Sequence, residues 1–149
     1  MQRKSGVLMH ISSLWGDYSA GAFGDEAKEW IDFISSCGFS VWQVLPFCLT
    51  DECNSPYKSY SAFSLNPNFI SLKKLYDKGL LTSDELEKAR QKTPYSCEFE
   101  RLEKERFTLL KKAGERVKNK KAIDEFISNR PHIKKFCEFM ALKTANDLK

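Results

Sequence analysis

The segment from Asn54 to Pro67 carries the residue types that most directly suggest chemistry. Its sequence, NSPYKSYSAFSLNP, alternates hydroxyl and amide groups with aromatic rings. A sugar-binding cleft needs this mixture, because pyranose faces pack on aromatic side chains while sugar hydroxyls require donors and acceptors. Pro56 reduces the conformational entropy lost on ordering the segment. A surface loop capped by Ser and Asn turns explains the same composition, and the residue types alone leave both interpretations open.

Three elements before this segment must position it. The apolar run Gly6–Ile11 predicts a strand buried on both faces, as in a parallel sheet. Apolar residues on one helical stripe predict a helix over Asp25–Cys37, which Gly38 is placed to end. The β-rich run Phe39–Leu45 predicts a second strand, stopped by Pro46. Strand, helix and strand together predict one right-handed βαβ unit.

Two loops follow the carboxyl ends of these strands, residues 12–24 and residues 47–66. In βαβ units, binding sites gather at this edge of the sheet. The second loop is long and lacks helical or strand periodicity, and such a loop is usually functional or disordered. Tyr57, Tyr60 and Phe63 need burial or a ligand, so we expect the loop to be ordered.

The pattern after Pro67 is helical. A capping box at Thr82-Ser83-Asp84-Glu85 opens one of the predicted helices. The apolar stripes on these helices are typical of core or partner faces. The predicted helices cover Ser71–Lys78, Thr82–Lys92, a longer segment carrying Phe99, Leu102, Leu110, Ala113 and Val117 on one face, Ala122–Asn129 and Pro131–Leu148.

Charge divides the chain into two unlike parts. Residues 1–72 are slightly acidic and hold all three tryptophans, whereas residues 73–149 are basic and give the chain its net charge of +4. With 42% hydrophobic and 30% charged residues, the chain is not expected to be disordered. The cations alternate with Glu at helical spacing, as in Glu103–Arg106, which predicts solvated helix faces and no nucleic-acid partner.

Membrane and metal functions find no support in the sequence. No apolar run approaches the roughly 18 residues that cross a bilayer, and Val7–Ile11 is too short for a signal-peptide core. We therefore expect a cytoplasmic protein without a membrane partner. The five cysteines form no CxxC motif, so reduced thiols are expected, with no metal site and no cofactor.

Three motifs occur in a specific order along residues 3–72. They are Lys4–Leu14 (KSGVLMHISSL), Trp42–Pro46 (WQVLP) and Ser55–Phe63 (SPYKSYSAF), and Asn66-Pro67 follows them. This ordered set resembles the N-terminal part of the 4-α-glucanotransferases, the amylomaltase or disproportionating-enzyme family of glycoside hydrolases. The helical remainder resembles the insert that this family carries after its second barrel strand.

The resemblance implies an α/β fold, with this chain forming the N-terminal part of a (β/α)₈ TIM barrel. Residues 1–72 would be the first βαβ unit with its glucan-facing loop, and residues 73–149 an all-helical insert subdomain. The implied activity is transfer of α-1,4-glucan segments between maltodextrins with retention of configuration. Such transfer needs a carboxylate nucleophile and a carboxyl acid/base. The implied partner is a maltooligosaccharide or α-glucan.

Carried over by position, the resemblance implies a substrate-binding set of Ser55, Tyr57, Tyr60 and His10. Tyr57 would pack on a glucose ring, and Ser55 would hydrogen-bond to it. His10 lies at the end of the first strand, where a hydrogen-bonded scaffold role is favoured over catalysis. Glu52 replaces an aromatic that many members carry, which puts an accessory glucan contact at that loop in doubt.

No region of the chain matches the acidic catalytic residues of the family, so we assign no catalytic residue. We assign no catalytic role to Asp25, Asp32, Asp51 or Glu52. Because a whole barrel needs about 250 residues, we expect a portion of a larger enzyme that is inactive alone, with the remainder of the barrel absent. The alternative hypothesis is a non-catalytic glucan-binding or interaction module.

Overall fold

The computed structural model of the chain describes residues 3–51 and 53–146. Strands β1 (Gly6–Leu8) and β2 (Val41–Gln43) pair in parallel, with Val7 opposite Trp42. Both strands are shorter than predicted, because within residues 3–51 and 53–146 each pairs with one neighbour only and the ladder ends where their overlap ends. Burial on both faces is not seen within the described residues, since Leu8 is 55% and Val41 42% exposed.

Helix α1 (Asp25–Ser36) connects the strands and confirms the predicted strand–helix–strand order. Asp25 lies in its first turn, where a negative charge suits the helix dipole. Gly38 adopts a φ of +84° and donates its N–H to Ser35 O at 2.9 Å, which ends the helix as predicted. Ala27 and Ile34 are buried, and Ala27 packs in an apolar cluster with Ile11, Leu14 and Phe69.

The second part of the chain is helical, as predicted. The capping box is present, since Thr82 Oγ1 accepts from the Glu85 N–H at 3.3 Å and Glu85 Oε2 accepts from the Thr82 N–H at 2.9 Å. A π-helical segment, Leu102–Arg106, joins two of the helices, and no sequence pattern predicts it. The helices are α2 (Leu72–Asp77), α3 (Ser83–Ala89), α4 (Phe99–Arg101), α5 (Phe107–Glu115), α6 (Lys120–Ser128) and α7 (Pro131–Ala145).

The described part of the chain has two apolar core clusters. The first lies between α1 and the loops, and its buried members are Ile11, Leu14, Ala27 and Phe69. The second joins α2, α3 and α5 through Leu72, Leu81, Leu86, Ala89 and Ala113. Tyr18, from the loop after β1, packs against this second cluster. The two parts of the chain therefore share apolar contacts. Among the described residues, every helix is too short or too polar to span a bilayer.

The loop after β1 is also joined to residues 90–106 by hydrogen bonds. Three backbone bonds connect them, from Gly16 N–H to Pro94 O (2.9 Å), Gln91 N–H to Asp17 O (2.7 Å) and Glu98 N–H to Ser19 O (2.7 Å). The bond from Gln91 explains why α3 ends at Ala89 and not at the predicted Lys92. The backbone there leaves the helix to pair with the loop.

Arg106 adds a side-chain link between the two parts. It is only 3% exposed, and its guanidinium donates to Ile70 O at 3.2 Å and to Tyr18 O. The prediction of a fully solvated face over Glu103–Arg106 is therefore wrong at Arg106. The guanidinium turns inward because it supplies two donors to carbonyl groups on separate segments.

Candidate functional site

A cavity of about 240 Å³ opens at the carboxyl ends of both strands. The loops after β1 and β2 both contribute to it, as the sequence predicts. Its polar lining consists of amide, hydroxyl and imidazole groups, from His10, Ser12, Ser13, Thr50, Asn54, Asn66 and Asn68. Phe69 and Leu102 supply apolar wall. This mixture of donors, acceptors and apolar surface suits a polyhydroxylated ligand.

His10 is half-buried in the wall of this cavity. Its ring meets Phe69 edge-on, with centroids 5.4 Å apart and planes at 81°. Among the described residues, its buried Nδ1 has no hydrogen-bond partner, so the predicted hydrogen-bonded scaffold role is not seen at that atom. Burial lowers the pKa of His10, which favours the neutral imidazole. A neutral ring can donate from one nitrogen and accept at the other.

The loop after β2 carries a β-turn at its tip. The Lys58 N–H donates to Ser55 O at 3.1 Å, which places Pro56 and Tyr57 at the two central positions of the turn. Proline is favoured at the first of these positions because its fixed φ suits the turn. Tyr57 is 75% exposed, so its ring is presented outward, and Ser55 is half-buried beside it.

Hydroxyl groups hold the base of this loop. Ser59 Oγ donates to Leu49 O at 2.6 Å, and Ser64 Oγ donates to Ser61 O at 2.8 Å. Ser64 Oγ also accepts from the Leu49 N–H at 3.2 Å. The interpretation of the segment as a loop capped by Ser turns is therefore correct for Ser59, Ser61 and Ser64. The hydroxyl of Ser55 takes no part in these bonds.

Tyr60 faces a different direction from Tyr57. Its ring lies 6.4 Å from that of Phe139, and Lys143 Nζ lies 4.7 Å from its centroid, both on α7. Tyr60 lines a second, larger cavity of about 710 Å³ between the loop and the helices. The structure thus places His10 in the smaller cavity, Ser55 and Tyr57 on either side of its lining residue Pro56, and Tyr60 against α7.

Asp51 is the buried carboxylate of this loop, with a side chain only 5% exposed. Its Oδ2 lies 2.7 Å from Lys58 Nζ, and its Oδ1 accepts from the Cys53 N–H at 3.0 Å. The hydrogen bond to Lys58 holds the pKa of Asp51 below its usual range. Glu52, the residue that puts an accessory glucan contact at this loop in doubt, lies outside the described residues.

Other described carboxyl groups with a shifted pKa behave in the same way. Lys74 lowers the pKa of Asp25, Arg116 lowers that of Glu85 to about 2, and Arg90 lowers that of Glu87. A general acid needs a raised pKa. No group of His, Cys, Asp and Glu within residues 3–51 and 53–146 is arranged to hold a metal ion.

Asn54 is a site residue that the sequence prediction did not single out. It adopts a φ of +54°, a left-handed conformation that Asn tolerates better than most residues. Its Nδ2 donates to Glu103 Oε1 at 3.1 Å, which joins the loop to the π-helical segment. Asn68 and Asn66 are joined locally, because the Asn68 N–H donates to Asn66 Oδ1 at 3.0 Å. An Asn before Pro is a turn signal that indicates such a local bond.

Comparison with known proteins identifies the family. The family model described as 4-alpha-glucanotransferase, from glycoside hydrolase family 77, matches residues 9–149. A 4-alpha-glucanotransferase of Streptococcus pneumoniae is 39% identical over 147 residues, which cover 95% of this chain and 29% of that protein. One from Aquifex aeolicus is 32% identical over 145 residues, which cover 95% of this chain and 29% of that protein. One from Clostridium butyricum is 49% identical over 79 residues, or 53% of this chain and 16% of that protein.

A solved structure shows the same fold. The amylomaltase from Streptococcus agalactiae in complex with acarbose matches with a TM-score of 0.91 and 32% identity, over 99% of this chain and 31% of that one. The chain thus spans 29% of the length of the Streptococcus pneumoniae relative. The ordered motifs of residues 3–72, the parallel strand pair and the helices that follow all agree with these matches. The chain belongs to the 4-alpha-glucanotransferase family.

Proposed function

We propose that the chain supplies the first glucan-facing surface of a 4-alpha-glucanotransferase, which transfers α-1,4-glucan segments between maltodextrins by a retaining double displacement. The observation that carries the proposal is the exposed Tyr57 ring, held on an ordered β-turn beside the polar cavity at the strand ends. The acarbose complex of the amylomaltase with the same fold supports an α-glucan as the ligand.

The described residues suit binding and not bond cleavage. A flat exposed ring at Tyr57 offers a platform for the apolar face of a glucose unit, and Ser55 beside it offers a hydroxyl. The neutral imidazole of His10 adds a donor or acceptor inside the cavity. Retaining transfer needs a second carboxyl group with a raised pKa, and the shifted carboxyl groups described above are all lowered. The chain by itself therefore binds glucan without cleaving it.

The same proposal extends to architecture and location. We place β1 and β2 as the first two strands of a (β/α)₈ barrel, residues 1–72 as its first unit and residues 73–149 as a helical insert. Support comes from the exposed apolar residues of both strands, Leu8 and Val41, which further strands would cover. A cytoplasmic location is supported by the five cysteines, all of which are free thiols.

Titration of the chain with maltoheptaose by calorimetry tests the binding proposal. Tyr57→Ala removes the ring, and we expect it to weaken binding about tenfold or more, as for the loss of a central aromatic contact. Tyr76→Ala is the matched control, because Tyr76 lies on α2, is 42% exposed and lines neither the 240 Å³ cavity nor the 710 Å³ cavity. Absence of binding by the folded wild-type chain would refute the proposal.

Incubation of the chain with maltotriose tests the second part. We expect the trisaccharide to remain intact. Formation of glucose and longer maltodextrins would show that the chain cleaves and transfers by itself, and the assignment of a purely binding role would then be wrong.

A further inference from the structure

Asp51 is buried in the loop after β2, although Tyr57 and Lys58 in the same loop are exposed. Its side chain is 5% exposed, whereas that of its partner Lys58 is 67% exposed. The side chain of Asp51 has partners in two directions: Oδ2 forms an ion pair with Lys58 Nζ at 2.7 Å, and Oδ1 accepts a hydrogen bond from the Cys53 N–H at 3.0 Å. A buried carboxylate is costly unless it is paired, so this arrangement indicates a specific role.

The bonds of Asp51 join the two ends of the segment that carries the β-turn. Its backbone N–H donates to Lys58 O at 3.2 Å, and its backbone O accepts from the Asn54 N–H at 3.0 Å. Any residue at position 51 can make these backbone bonds. The bond from the Cys53 N–H requires a side-chain oxygen at position 51, and the ion pair with Lys58 Nζ requires the carboxylate. The side chain therefore adds a second link between the two ends of the turn segment.

We propose that Asp51, acting through Lys58, is a positioning residue of the glucan site. It holds the turn in the conformation that presents the Tyr57 ring and the Ser55 hydroxyl to the sugar. The inference rests on the proposed function, because it assigns a role within the same site. Its physical basis is preorganisation: the exposed tip has little packing of its own, and a ligand that must first order the turn binds more weakly.

The isosteric variant Asp51→Asn isolates the pair. Because Oδ1 already accepts from the Cys53 N–H, the new amide NH₂ faces the Lys58 ammonium, and two donors then oppose each other. We expect the Kd for maltoheptaose to rise about tenfold, as is typical for loss of a charge-assisted bond that preorders a site. The control Asp32→Asn makes the same change at an exposed position of α1 and leaves the Kd unchanged.

Rescue separates positioning from a general loss of structure. In the double variant Asp51→Asn/Lys58→Gln, the Gln carbonyl can accept from the Asn amide, which rebuilds the cross-turn bond without charge. We expect the double variant to recover at least half of the lost affinity. Amide hydrogen exchange at Cys53 and Lys58 is expected to speed up in the single variant and to slow again in the double.

The outcomes distinguish this inference from the proposed function. If the wild type binds maltoheptaose and Asp51→Asn binds equally well, or if the double variant recovers nothing, the positioning role is wrong while the proposed function stands. If neither the wild type nor Asp32→Asn binds maltoheptaose, the proposed function and the positioning role are both wrong. Should Asp51→Asn not fold, Lys58→Met removes the same bond from the exposed partner. An unchanged Kd in that variant overturns the inference.

Discussion

Replacement of Arg106 tests whether the two parts of the chain depend on each other. Arg106→Met removes the donors that serve Tyr18 O and Ile70 O. Ile70 O then loses its donor, which costs about 1–3 kcal/mol, whereas Tyr18 O still accepts from the Ala20 N–H at 2.9 Å. Burial lowers the pKa of Arg106 to about 10. Replacing the charged guanidinium by an apolar side chain removes this unfavourable desolvation free energy, which is about 3 kcal/mol. The two terms nearly offset each other, so we expect the free energy of unfolding of Arg106→Met to stay within about 2 kcal/mol of wild type.

Arg106→Lys gives the sharper expectation. The ammonium keeps the buried charge and is more strongly hydrated than a guanidinium, so the desolvation cost remains. A single compact ammonium does not reproduce the planar fork that serves two carbonyls on separate segments. We expect the conservative variant to lose about 2–3 kcal/mol, more than the methionine variant.

Urea unfolding followed by tryptophan fluorescence measures both variants, since Trp15 and Trp30 lie in the packed part of the chain. Lys104→Met, at an exposed neighbouring position of the π-helical segment, is the control and is expected to stay within about 0.5 kcal/mol of wild type. Wild-type stability in Arg106→Lys, or a lysine variant more stable than the methionine variant, would show that the forked hydrogen bonding does not hold these segments.

Two further predictions concern helix ends. Because Arg116 and the Thr82 N–H hold the pKa of Glu85 at about 2, Glu85 stabilises the fold above its ordinary pKa, and that contribution disappears as the pH falls towards 2. Urea midpoints of wild type and Glu85→Gln should therefore differ most above about pH 4.5 and converge near pH 2; a constant gap contradicts this. Gly38→Ala should destabilise by about 1 kcal/mol because of its positive φ, whereas Gly114→Ala, in open space within α5, should stabilise by up to about 1 kcal/mol. Equal effects of the two glycine changes in thermal melts would refute the distinction.

Local chemistry explains which elements the sequence predicts well. The Thr82 and Glu85 capping box, Gly38 and Gly79 at positive φ, and Pro131 in a first helical turn all act within a few residues of their own position. The satisfied hydroxyls of the loop after β2 are similarly local. The family assignment was also available from the sequence, because it rests on ordered motifs and not on packing.

Long-range pairing explains what the sequence does not predict. A helical pattern rich in Lys and Glu does not indicate which cation turns inward, and Arg106 does so because Tyr18 and Ile70 offer carbonyls from distant positions. The end of α3 at Ala89 depends in the same way on a bond from Gln91 to Asp17. The spacing of Tyr57 and Tyr60 within one motif suggests a shared surface, yet contact with α7 turns Tyr60 aside.

The sequence alone therefore determined the family, the order of strands and helices, and the loop that carries the candidate sugar-binding residues. Tertiary structure decided which of those residues lie together, how short the strands are, and that the carboxylate of Asp51 is buried against Lys58. The physical reason is the distance along the chain over which the interactions act, because caps, turns and motifs depend on residues that are close in sequence. The direction of a side chain in a loop depends on groups that folding alone brings close.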